Sequence, residues 1–212
     1  MTLSDFATFS TAISGFAVTA SLIYLALQTH QNAKHTRALI NQGRSNRIAD
    51  TRLAADAGLD VANGVIADAG LRTSAHEVFA AGDVANAFHP LYGKHVRVEH
   101  WANALNGGPA AARSMLGRGV SYDAVPYFFS DQYDLGMETA GLPEPGSYDQ
   151  IVYRGDREAR EFIAFWLSGG AVVAGMNVNV WDVSDDIQAL IRARRPVDAT
   201  RLADPDTPIA DL

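Results

Sequence analysis

The chain has 212 residues, 48% of them apolar and 19% charged, with no cysteine and a net charge of −7. This composition excludes extensive disorder, a disulfide framework, thiolate chemistry and any cysteine-ligated zinc or iron–sulfur cluster. The acidic balance excludes a phosphate-tracking nucleic-acid surface, which needs clustered Lys and Arg.

The charge is unevenly spread. Residues 1–52 carry five Lys/Arg against two Asp/Glu, and residues 121–212 carry sixteen acids against seven bases. Residues 6–27 hold no charge at all. A helix needs about 20 apolar residues to cross a bilayer, so this stretch is long enough to span. Lys34, Arg37, Arg44, Arg47 and Arg52 follow it, and if it spans, the positive-inside bias leaves the remainder in the cytoplasm. Thr8, Ser10, Thr11, Ser14, Thr19 and Ser21 equally suit one side of a soluble helix. Residues 28–52 are polar and free of proline. His30 and His35 there are five apart, off the i, i+4 spacing of a helical metal pair.

From residue 51 the pattern changes. Leu53-Ala54-Ala55-Asp56-Ala57-Gly58-Leu59 reads as a short helix stopped by glycine. Gly64-Val65-Ile66-Ala67-Asp68 and Glu77-Val78-Phe79-Ala80-Ala81-Gly82-Asp83 read as two short strands. Residues 101–116 form an alanine-rich helix, with a bend predicted at Gly107-Gly108-Pro109. Residues 148–155, 160–168 and 171–181 are rich in Val, Ile, Phe, Tyr and Trp. They predict an antiparallel three-stranded meander with a hairpin at Ser168-Gly169-Gly170. Asp182, Ser184, Asp185 and Asp186 supply caps and first-turn acids for a helix that ends in Arg192, Arg194, Arg195 and Pro196. The fold class is α+β: a partial nucleotide-binding α/β region, then an antiparallel βββα domain, with a helix at the amino terminus.

One segment carries a chemical signal. In Val78-Phe79-Ala80-Ala81-Gly82-Asp83-Val84-Ala85, Gly82 lets backbone approach a ligand closely, and Asp83 can accept hydrogen bonds from sugar or ribityl hydroxyls. A plain Gly-Asp turn at a strand end is the structural alternative of similar weight. Glu99-His100-Trp101-Ala102-Asn103-Ala104 follows, and then Val125-Pro126-Tyr127-Phe128-Phe129-Ser130-Asp131-Gln132-Tyr133. In that order these motifs resemble the carboxyl-terminal part of the bacterial FAD-dependent ferredoxin reductases, within the pyridine nucleotide-disulfide oxidoreductase superfamily. The resemblance runs from about Thr51 to Leu212 and divides the chain into 1–50, a helix and linker; 51–122, a partial FAD/NAD(P)-binding region; and 123–212, the carboxyl-terminal reductase domain.

That resemblance implies NAD(P)H as electron donor, FAD as carrier and a ferredoxin-type iron–sulfur protein as acceptor. It implies FAD contacts at Gly82, Asp83, Glu99, His100, Trp101 and Phe129. Asp83 is set on the ribityl chain, and the backbone of His100 and Trp101 faces the flavin ring from a helix N-terminus. Phe129 stands where the family often has Trp. It implies no catalytic acid or base and no metal.

The departure from the family is that no Gly-x-Gly-x-x-Gly turn occurs in the sequence, although the family uses such turns for each diphosphate. Residues 1–50 do not resemble the family's start. Two functional readings follow. One is an NAD(P)H:ferredoxin oxidoreductase, incomplete in this chain and working in the cytoplasm. The other is a non-catalytic interaction module tethered to the cytoplasmic face of the membrane through residues 6–27. Neither involves nucleic acid. His89, His95, Glu99 and His100 fit no metal-ligand spacing, and Ser114, Ser121 and Ser130 lack the Gly-x-Ser-x-Gly setting of a hydrolase.

Overall fold

The computed structural model describes residues 50–212 and, before them, Gln28, Gln31 and Lys34 alone. The uncharged stretch 6–27 and the histidines at 30 and 35 therefore lie outside the described residues. Among the described residues no helix is long and apolar enough to cross a membrane.

Helical residues 50–56 (α1) end at Gly58, whose φ of 79° takes the left-handed conformation that stops a helix. The Leu59 N–H then returns to the Ala54 carbonyl at 3.0 Å, and both side chains pack against the small core of Val65, Ala67, Ala80 and Ala85.

That core belongs to a four-stranded sheet, β1 (Val61–Ala62), β2 (Gly64–Ala67), β3 (Ala85–His89) and β4 (Lys94–Arg97), in the order β1-β2-β3-β4. The β2–β3 pair is parallel and its two neighbours are antiparallel. The strand predicted over residues 77–83 is not formed. Those residues turn back instead, with Thr73 N–H donating to the Val78 carbonyl, Ala80 N–H to the Leu71 carbonyl, and a lone bridge between Arg72 and Phe79. A 3-10 turn, Gly82–Val84, follows, and the strand begins only at Ala85. Gly82, at a φ of +71°, then turns the chain toward β3.

Helix α2 (Trp101–Met115) runs unbroken through Pro109. A proline there removes the bond to the Leu105 carbonyl, and Leu105 lies on the exposed side at 52%, where water can satisfy that oxygen.

The second sheet contains β5 (Tyr127–Gln132), β6 (Leu135–Gly141), β7 (Gln150–Asp156), β8 (Glu161–Ser168) and β9 (Ala171–Val178), in the order β5-β6-β9-β8-β7. All pairs are antiparallel. The predicted meander is β7–β9, with Gly169 and Gly170 at positive φ in its hairpin. The β5–β6 hairpin extends it by two strands the sequence pattern did not signal. Helix α3 (Ser184–Ala193) lays Ile187, Leu190 and Ile191 on this sheet, over Gly175, where a Cβ would meet Ile187 at 2.5 Å. Val183, not one of the predicted acids or serines, is its N-cap, while Asp185 and Asp186 occupy its first turn. Helix α4 (Ala199–Ala203) is capped by Asp198, which accepts from the N–H groups of Thr200 and Arg201 at 2.7 and 3.2 Å. Phe165, Leu167 and Leu202 are fully buried in this larger core, at roughly 1.5–3 kcal/mol of transfer stabilisation each. The α+β class read from the sequence holds.

Candidate functional site

Helix α2 is pressed onto the Gly82–Val84 turn by small residues. A Cβ built on Gly82 would stand 3.4 Å from the Ala104 Cβ, and one on Gly107 would stand 3.6 Å from the Gly82 nitrogen. Larger side chains at either glycine would push helix and turn apart.

The turn presents Asp83 half-buried, with no hydrogen bond to its carboxylate among the described residues. Its backbone is held from the side. Arg97 Nε donates to the Asp83 carbonyl at 2.8 Å, while the same guanidinium pairs with Glu99 at 3.1 Å. Glu99 leads into α2, whose N-cap is His100. Asn103 and Ala104 already donate to the His100 carbonyl at 3.0 and 3.3 Å, which leaves the N–H groups of Trp101 and Ala102 as open donors at the positive end of the helix. No side chain caps this end. Asn103 instead donates to the Val98 carbonyl at 2.8 Å and accepts from the Tyr122 hydroxyl at 3.0 Å, anchoring the first turn.

Gly82, Asp83, Glu99 and His100 are thus brought into one neighbourhood. Trp101 is its outward neighbour, 70% exposed. Phe129 is also open to solvent at 48%, but the aromatic that meets the helix start is Phe128, whose ring centroid is 5.0 Å from that of His100. Successive residues of a strand face opposite sides, so Phe128 and Phe129 present different faces of β5. The His100 Nδ1 atom is buried with no hydrogen-bond partner.

Arg97, Asn103, Tyr122 and Phe128 were not among the residues picked from sequence. Only the Arg-x-Glu spacing before the helix could have flagged Arg97. Two hollows lie elsewhere: a groove of about 340 Å³ between α2 and residues 120–124, with Arg113 and Arg192 on it, and a shallow depression of about 610 Å³ between Arg72, Phe88 and Arg118. Among the described residues no cluster of His, Asp and Glu could hold a metal ion.

Beside β5, Tyr127 donates to Glu138, which also accepts from Asn177 Nδ2 at 2.8 Å. Burial and the neighbouring carboxylate push the Tyr127 hydroxyl up to about 12. At the end of β3, His89 lies with Nε2 3.0 Å from the Ala124 carbonyl and its Nδ1 unpartnered; burial holds its pKa below the ordinary value.

Comparison with known proteins adds to this geometry. Residues 17–108 match the family described as pyridine nucleotide-disulphide oxidoreductase, and residues 127–212 match the reductase C-terminal family. The first match begins inside the segment that had no evident resemblance. The chain is 41% identical over 157 residues to the ferredoxin–NAD(+) reductase component of the anthranilate 1,2-dioxygenase system of Burkholderia cepacia, covering 74% of this chain and 38% of that protein. It is 34% identical over 165 residues to putidaredoxin reductase of Pseudomonas putida, covering 78% and 39%. Its fold matches a ferredoxin reductase from Rhodopseudomonas palustris with a TM-score of 0.70 at 31% identity, over 75% of this chain and 39% of that one. The reductase in a covalent putidaredoxin reductase–putidaredoxin complex matches with a TM-score of 0.67 at 33% identity, over 76% and 38%. The chain spans under two fifths of the length of each of these proteins.

Proposed function

We propose, from the premise that this chain corresponds to the carboxyl-terminal part of a ferredoxin reductase of the pyridine nucleotide-disulphide oxidoreductase family, that it is the flavin-facing portion of an NAD(P)H:ferredoxin oxidoreductase. The observation that carries the reading is the order of the two family matches along the chain, with the Gly82–Val84 turn and the start of α2 packed together inside the first of them. The relatives' names supply the electron donor and the ferredoxin class of acceptor.

The residues present fit the flavin end of FAD. Asp83 offers an unengaged carboxylate for ribityl hydroxyls, and Gly82 has no Cβ to hold a ligand off. The open N–H groups of Trp101 and Ala102 face outward from a helix N-terminus, next to an unpartnered His100 nitrogen, and the exposed rings of Trp101 and Phe129 are the further contacts proposed. FAD, when bound, supplies the conversion between hydride transfer from NAD(P)H and single-electron delivery to an iron–sulfur partner. The chain's own groups orient it: Asp83 fixes the sugar-like chain, the α2 start places positive potential at the ring, and the aromatics exclude water from it. Glu99 belongs to this set through its hold on the helix start. No acid or base from this chain is required.

The division at residues 50 and 122 and a cytoplasmic place of work belong to the same proposal. Nothing in the matches points to a membrane, and the match that starts at residue 17 overlaps the uncharged stretch itself.

The test is a titration of the purified 212-residue chain with FAD, followed by flavin fluorescence and by absorption after desalting. Quenching with a displaced visible band is the expected result. Unaltered flavin spectra up to roughly millimolar FAD, where binding would contribute about 4 kcal/mol at most, would remove the proposal.

A further inference from the structure

We infer that Arg97 is a positioning residue that sets the Asp83 turn and the start of α2 in one fixed relation, so that the two ends of a flavin site on different elements are registered by a single guanidinium. This rests on the flavin reading above for what the site binds, but the clamp itself is read from contacts.

The guanidinium reaches three elements. Nε donates to the Asp83 carbonyl at 2.8 Å, one terminal nitrogen donates to Asn63 Oδ1 at 3.3 Å, and the other pairs with Glu99 at 3.1 Å. Asn63 lies in the turn between β1 and β2, Asp83 in the 3-10 turn, and Glu99 in the link from β4 to α2. The side chain is 13% exposed, against 40% for Glu99, so this is a largely desolvated fork and not a surface ion pair.

The fold makes room for it. Gly64 has a φ of +103°, and a Cβ there would meet the Val84 carbonyl at 2.6 Å and the Arg97 Cδ at 3.2 Å. The missing side chain at Gly64 is thus the space through which the Arg97 stem passes to the 3-10 turn. Lysine could satisfy one of the three partners but not the fork, because its ammonium is a point charge.

The consequence is that Asp83 and the open N–H groups of Trp101 and Ala102 do not move independently. Sites that need several groups within a fraction of an ångström depend on such supporting contacts.

The experiment uses the 212-residue chain as wild type, Arg97→Met, Arg97→Lys, Asp83→Asn, the Arg97→Met/Asp83→Asn double variant, and Lys94→Met as a control on the same strand. The first readout needs no flavin: amide hydrogen exchange at Ala85, Asn103 and Ala104, which donate to Gly82 and His100. Arg97→Met should speed exchange there by roughly tenfold or more while leaving the β7–β9 amides unchanged. Arg97→Lys should recover part of the protection, and Lys94→Met should change nothing at these positions. The second readout is FAD affinity. Arg97→Met should weaken it by about tenfold or more, and Asp83→Asn should cost much less in the Arg97→Met background than alone, because its carboxylate is no longer placed.

Uniform acceleration of exchange over the whole chain, unchanged exchange at all three amides, or strictly additive effects of the two substitutions would each overturn the clamp. Local acceleration in Arg97→Met, together with a wild-type chain that takes up no FAD, would uphold the clamp and remove the flavin reading instead. If Arg97→Met fails to fold, Glu99→Gln, which weakens one of the three contacts, carries the same pattern at smaller amplitude.

Discussion

Tyr127 donates its hydroxyl to Glu138 across the β5–β6 ladder, one step diagonally from its own partner Ala140. Burial first, and this carboxylate second, push Tyr127 up to about 12 from 10.0. Tyr92 is pushed up to about 12 by burial. Between these values the unfolded chain releases phenolic protons that the folded chain keeps, so the stabilisation is complete below pH 10 and falls as pH rises toward 12. Urea midpoints measured from pH 9 to roughly 12 should decline, and Tyr127→Phe with Tyr92→Phe should flatten that decline. An unchanged slope in the double variant would show that neither hydroxyl is responsible. Below pH 10, Tyr127→Phe alone should cost about 1 kcal/mol.

His89 gives the opposite dependence. Burial lowers its pKa, Arg192 and Arg194 act the same way, and the Ala124 carbonyl and Asp123 oppose them. As pH falls below 6.5 the unfolded chain takes up a proton that the folded chain refuses, so stability present above that pH is lost on acidification. His89→Gln keeps a donor for Ala124 without titrating. Its stability should fall less than that of the wild type between pH 7 and roughly 5, and parallel curves would refute the assignment.

Two glycines should respond oppositely to alanine. At Gly64 the new Cβ would meet the Val84 carbonyl at 2.6 Å on a backbone with φ +103°, so Gly64→Ala should cost upwards of about 2 kcal/mol. At Gly108, inside α2, nothing lies within 4 Å of the built Cβ, so Gly108→Ala should stabilise by about 0.5–1 kcal/mol. Thermal melts of the two single variants decide this, and a loss at Gly108 comparable to that at Gly64 would sink it.

Trp101 separates binding from stability. At 70% exposure its truncation to alanine should shift unfolding by no more than about 0.5 kcal/mol, while FAD affinity drops several-fold. Equal FAD affinity in Trp101→Ala and wild type would take the indole out of the site.

The sequence revealed β7, β8, β9 and α3 because their signals are local: dense aromatic and β-branched residues, a Gly169-Gly170 turn and acids at a helix start. It concealed β6 because that strand, Leu135–Gly141, holds two glycines, Gly136 and Gly141, and no aromatic residue. A Cβ at Gly136 would enter the Trp181 ring at 2.2 Å, and one at Gly141 would meet the Val173 carbonyl at 2.5 Å. Those requirements come from residues far along the chain. The strand over 77–83 was misplaced for a related reason. Val78, Phe79 and Ala80 have strand-like side chains, but Leu71, buried to 1%, draws their backbone into a loop of its own. At the site, Gly82 and Asp83 stood out by type and Glu99, His100 and Trp101 by their order. Phe128 could not be told from Phe129 until the strand's facing was known, and Arg97 gains its meaning only from three partners on separate elements.

The order β5-β6-β9-β8-β7 also sets a timetable. Strands β7, β8 and β9 are joined by short turns and can zip together early, since closing a short loop costs little entropy. The rung between Met137 and Val178 needs the whole intervening meander in place first. Until β6 arrives, β9 is an open edge with bare N–H and C=O groups, and another chain in the same half-made state could pair with it. The hairpin that carries Phe128 and Phe129 to their places is therefore also the piece that closes the sheet against its own neighbours in a crowded solution.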